Sequence, residues 1–125
     1  MDTLMASDRR TPKRIRVKWP VVIISAKGYS IAETRDISSE GAFIDCELPL
    51  HHKEKLKLFI MTPNKRPLEL PAEVAWSNPD HSEGNTTPRG MGVRFIEVSR
   101  RHRQLLRNIV SDHFKTKVNS SPTRK

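Results

Sequence analysis

One cysteine, Cys46, is all that this 125-residue chain contains. That excludes an intrachain disulfide and fits a reducing compartment. No apolar run approaches the length of a bilayer-spanning helix. The start, Met1 to Arg10, holds no apolar block of signal-peptide length and carries Asp2 and Asp8, so a cytoplasmic protein is expected. Metal-ligand spacing is missing as well: His51 and His52 are adjacent, His81 stands in a polar loop, and His102 and His113 lie eleven apart, none matching a zinc site. No phosphate-cradling glycine-rich loop precedes a helix, and no catalytic signature flanks Cys46. The chain is therefore expected to be a non-enzyme without metal or cofactor. Acid is the scarcer charge, with 14 Asp and Glu against 23 Lys and Arg and a formal net charge of +9. That balance favours nucleic acid, nucleotides, acidic protein surfaces or anionic lipid as partners.

What is present is a period of two. Ile15, Val17, Trp19, Val21 and Ile23 alternate with Arg14, Arg16, Lys18, Pro20 and Val22, which predicts a first strand with a basic outer start. Gly28 turns the chain into a second strand from Ser30 to about Asp36, and the Ser38–Gly41 turn leads to a third. The third carries Ala42, Ile44, Cys46 and Leu48 inward, so Cys46 is expected as a core thiol. Leu56, Leu58 and Ile60 mark a fourth strand, and Leu68, Leu70, Ala72, Val74 and Trp76 a fifth, whose phase assigns Trp76 to the core. Beyond the long polar loop Ser77 to Arg89, Met91, Val93 and Phe95 mark a sixth. Leu105, Leu106, Ile109, Val110 and His113 then share one helical face, with Ser99 as N-cap.

The predicted fold is mainly β, a six-stranded antiparallel barrel of split or Greek-key-like form closed by one C-terminal α-helix. A hydrophobic content of 35% suffices for one modest core. The domain is placed at 9–117, with polar, aperiodic stretches 1–8 and 118–125 expected to be disordered tails.

Two short motifs stand out. Arg10-Thr11-Pro12-Lys13-Arg14 supplies guanidinium forks, and Asp36-Ile37-Ser38-Ser39-Glu40-Gly41 a carboxylate, a hydroxyl and bare backbone. Arginine pairs bidentately with phosphate or the guanine O6/N7 edge, and a carboxylate accepts from guanine N–H groups. A strand, a turn and a strand separate them, which returns the second motif to the base of the first strand. The pair therefore points to a nucleotide receptor. With the late strand Gly90-Met91-Gly92-Val93-Arg94-Phe95, these motifs resemble those of the PilZ domain family, bacterial receptors for cyclic di-GMP.

The resemblance implies that Arg10 and Arg14 bind phosphates and guanine rings with Arg9 assisting. It implies that Asp36 accepts from one guanine, that Ser38 fixes the site, and that Gly41 permits a positive φ or close ligand approach. Some members bind a stacked ligand pair and dimerise, and a further cation at Arg9 fits that mode, so a monomer or a ligand-dependent dimer is expected. Folding of the Arg9–Arg14 arm over ligand would act as a switch on a downstream protein controlling motility, biofilm or surface polysaccharide. The competing reading is a basic nucleic-acid-binding module using the arm and Arg100, Arg101, Arg103 and Arg107. Against it, the outer strand faces offer only Phe43 and Phe59 for stacking.

Overall fold

Alternation of apolar residues along six segments produces six strands whose inner faces form one core. The computed structural model describes residues 13–47, 49–63, 66–78 and 89–123. The strands are β1 (Pro20–Ser25), β2 (Gly28–Ile37), β3 (Gly41–Asp45), β4 (Lys55–Ile60), β5 (Leu68–Asn78) and β6 (Gly90–Phe95), followed by the helix α1 (Arg100–Thr123). Every pairing is antiparallel, and the order β1-β2-β3-β6-β5-β4 closes on itself when β1 pairs with β4. Closure leaves no unpaired strand edge. Val21, Ile23, Ile44, Leu58, Leu70 and Val93 point into the barrel, and Leu106, Ile109 and Val110 of α1 complete the same buried cluster. No helix among the described residues is long and apolar enough to cross a membrane.

The first strand is shorter than its alternation predicts. Ile15 makes an isolated bridge to Ile37, and the ladder proper begins at Pro20 opposite Glu33. Four residues separate Ile15 from Pro20 while three separate Glu33 from Ile37, so one residue is in excess on the first side. The side chain of Thr34, 1% exposed, absorbs the mismatch: its hydroxyl donates to the Val17 carbonyl and accepts from the Trp19 N–H at 3.0 Å.

At the other end, Ser99 caps α1 as expected, its hydroxyl accepting from the His102 N–H at 3.1 Å. Ser99→Ala should cost about 1 kcal/mol, read as a fall in Tm of about 4–8 °C. The helix runs to Thr123, beyond residue 117 where the polar composition sets a tail. Extending an existing helix adds one hydrogen bond per residue fixed and needs no new nucleus, so it can outlast its apolar face. The tail expected at 1–8 lies outside the described residues.

Cys46 falls one residue past the end of β3, half-buried against the core. Burial pushes its thiol up to about 11, with Asp45 adding to the rise and Arg89 opposing it. At pH 7 the thiolate fraction is then on the order of 10⁻⁴. Iodoacetamide should label the native chain about 100-fold more slowly than the unfolded chain at that pH, and labelling should accelerate as pH approaches 11. Timed mass spectrometry measures both.

Candidate functional site

Two β-bulges decide what lies on the outer face of the barrel. Thr34 is buried, so strict alternation along β2 would turn Asp36 inward as well. The pairing with β3 shifts between Thr34 and Asp36, leaving Arg35 as an extra residue, and Asp36 emerges outward opposite Phe43. In β5 the register shifts between Val74 and Trp76. The core placement expected for Trp76 is thereby overturned: it is 41% exposed, because the bulge at Ala75 reverses the phase that holds for Leu70, Ala72 and Val74.

The result is a row across four neighbouring strands. Asp36 of β2 is opposite Phe43 of β3, Phe43 opposite Gly92 of β6, and Gly92 opposite Trp76 of β5. A Cβ on Gly92 would lie 2.1 Å from Trp76 Nε1, so the missing side chain is what lets the indole lie over the strand. The Phe43 and Trp76 rings meet with centroids 5.0 Å apart at 59°. The Arg35 guanidinium also sits 5.6 Å from the Phe43 ring centroid. The sequence marks Phe43 as outward-facing, but nothing in the local pattern reveals that Trp76 joins it.

Arg14 closes the row at the Asp36 end. Its Nε donates to Asp36 Oδ1 at 2.8 Å, and Nη2 lies 2.7 Å from the same oxygen. Both donors use one oxygen, and among the described residues Oδ2 has no partner. The expected meeting of the two motifs is thus present at Arg14 and Asp36, whereas Arg9 and Arg10 lie outside the described residues. A cleft of about 440 Å³ opens beside the pair, lined by Arg16, Val17, Lys18, Arg35, Asp36 and Phe43. A smaller one of about 270 Å³ lies across Phe43, between Arg14 and Trp76.

Ser38 and Gly41 occupy a buried turn. Ser38 is fully enclosed; its hydroxyl accepts from the N–H groups of Glu40 at 3.1 Å and Gly41 at 3.2 Å, and its own N–H donates to the Gly41 carbonyl at 2.8 Å. The side chain is spent on shaping the turn. Gly41 does not adopt a positive φ. It is needed because a Cβ there would come within 2.2 Å of the Val93 carbonyl oxygen, so strand packing sets this position. Glu40, at the tip, pairs with Arg103 of α1 at 3.6 Å, and Lys13, next to Arg14, lies 5.5 Å from the centroid of the Phe114 ring. Both motifs therefore touch the helix. No group of three or more His, Cys, Asp or Glu among the described residues could hold a metal ion.

The family model for the PilZ domain matches residues 8–112. The chain belongs to the PilZ domain family. Solved structures agree with that fold at low identity. The Bacillus subtilis inhibitor of motility MotI/DgrA superposes with a TM-score of 0.71 at 21% identity, over 87% of this chain and 52% of that one. This PilZ chain thus spans about half the length of that protein. The PilZ domain of Escherichia coli YcgR with c-di-GMP matches at 0.68 and 14% identity over 90% and 98% of the two chains. The PilZ domain of CeSA from a cellulose-synthesizing bacterium matches at 0.60 and 19% over 82% and 98%. A search of curated proteins finds no match.

Proposed function

We propose that this PilZ domain is a receptor for cyclic di-GMP and that the ligand lies along the row from Asp36 to Trp76, with Arg14, Arg10 and Arg9 closing over it. The observation that carries this reading is the fork of Arg14 on one oxygen of Asp36, beside the half-buried Phe43 ring and the exposed Trp76 ring. Guanine offers N1–H and N2–H donors, which Asp36 Oδ2, without a partner among the described residues, can accept without releasing Arg14. With Nε and Nη2 of Arg14 held on Asp36, its remaining guanidinium N–H groups stay free, among the described residues, to meet a phosphate. Phe43 and Trp76 offer ring faces to a purine, and Arg16, Lys18 and Arg35 line the adjacent cleft with positive charge. The YcgR PilZ domain, solved with c-di-GMP, supports the choice of ligand.

The protein acts by binding in the cytoplasm, not by catalysis. Because Lys13 rests against Phe114 and Glu40 pairs with Arg103, a ligand that draws in the arm or the turn also acts on α1. Differential contacts of this kind can shift a two-state equilibrium and present a changed surface to a downstream protein. Motility, biofilm and surface polysaccharide are the outputs in view, and the motility inhibitor among the similar structures supports that class. A ligand-dependent dimer remains tied to Arg9, and stoichiometry decides it.

Calorimetric titration with cyclic di-GMP tests the reading, with saturable binding expected. Trp76→Ala should weaken affinity about 10-fold, the usual size of one lost base–aromatic stack. Absence of binding together with salt-sensitive binding to DNA would transfer the site to the nucleic-acid reading.

A further inference from the structure

A second recessed surface lies away from the row, where the first turns of α1 meet the β4–β5 connection. It is a groove of about 720 Å³ whose walls include Thr62, Arg66 and Arg101 and whose floor is Leu68, Leu105 and Ile109. It runs on along the helix past Arg100 to Asn108, sharing Arg101 and Leu105 with that stretch. Among the described residues no acid lines either part. Most cations on the strands are paired, Arg35 with Asp45, Lys57 with Glu69, and Arg94 with Glu73, and Lys27 in the β1–β2 turn pairs with Glu54. Arg66, Arg100 and Arg101 have no ion pair among the described residues. Thr62, 7% exposed, has no side-chain hydrogen bond among them either, although it lines the groove.

We infer that this groove docks an acidic segment of a partner protein. Carboxylates of that segment pair with the Arg66 and Arg101 forks, a polar group reaches the Thr62 hydroxyl, and one apolar side chain lies over Leu68, Leu105 and Ile109. Arginine forks match carboxylates bidentately, and desolvation by the aliphatic floor strengthens those pairs. Nucleic acid fits less well, because the floor is aliphatic and His102 is the only aromatic ring among the described residues that line the groove. A bilayer fits less well because the surface is concave. Strand addition is closed off because the barrel has no edge, which leaves side-chain docking as the mode. None of these residues belongs to the dinucleotide row, so the inference stands apart from the ligand assignment.

The test is selection of random 12-residue peptides displayed on phage against the full chain, run in parallel against the Arg66→Glu/Arg101→Glu variant. Selected peptides are resynthesised and their affinities measured by fluorescence anisotropy. Expected are sequences rich in Asp and Glu around a Leu, Ile, Met or Phe. Their affinity should fall about 10-fold or more for the charge-reversed variant and by less for Arg66→Gln/Arg101→Gln. Amide shifts should map to Thr62, Leu105 and Ile109, and cyclic di-GMP titration of both variants should match the native chain. Peptides without acidic bias, peptides that bind the reversed variant equally, or duplex DNA or anionic vesicles occupying the same amides more tightly would each overturn the inference. Altered dinucleotide binding in the variants would overturn the separation of the two sites.

Discussion

Asp36→Ala is expected to weaken cyclic di-GMP binding by about 100-fold or more, with little change in Tm. Two effects combine. The carboxylate that accepts from guanine is removed, and hydrogen bonds to a charged group contribute about 1.5–3 kcal/mol each. Arg14 also loses the oxygen on which both its donors converge, 2.8 and 2.7 Å away, and with it the orientation of its fork. Stability should hold because the Arg14 and Asp36 side chains are 48% and 23% exposed, and a partly solvated pair contributes at most about 1 kcal/mol. Arg14→Lys separates charge from geometry: it keeps the cation but cannot fork, so it should also bind poorly. Calorimetry beside thermal unfolding checks all three chains. Native-like affinity in Asp36→Ala would remove Asp36 from the site.

Gly41→Ala should instead damage the fold, lowering stability by about 3 kcal/mol and Tm by about 10–20 °C. The added methyl would sit 2.2 Å from the Val93 carbonyl oxygen, a backbone atom of β6 held by pairing with β3. Neither strand can retreat without breaking that ladder or the Ser38 turn, in which Gly41 both donates and accepts. Gly92→Ala is the informative contrast. There the obstacle is the Trp76 ring, a side chain that can swing aside, so the fold should survive better while the ring leaves its place against Phe43. Thermal unfolding of the two variants distinguishes a glycine demanded by backbone packing from one demanded by the outer face.

Local pattern alone specifies that there are six strands and a closing helix with its Ser99 cap, and which stretches carry the two motifs, though not where the first strand begins or the helix ends. Period-two alternation is a local signal, and Val21, Ile23, Leu56, Leu58 and Ile60 are all buried as it requires. It also determined that an arginine from the first motif and the carboxylate of the second would meet, since a strand and a return bring Arg14 to Asp36. Tertiary structure decided which way the side chains face at the site. An inserted residue in one strand has no signature of its own, because it is extra only relative to a partner that is distant in sequence. The bulge at Arg35 alone turns Asp36 outward, and the bulge at Ala75 alone turns Trp76 from core to surface. The burial of Ser38 and the need for glycine at 41 and 92 come from the same source, since each depends on how closely a neighbouring strand or ring approaches.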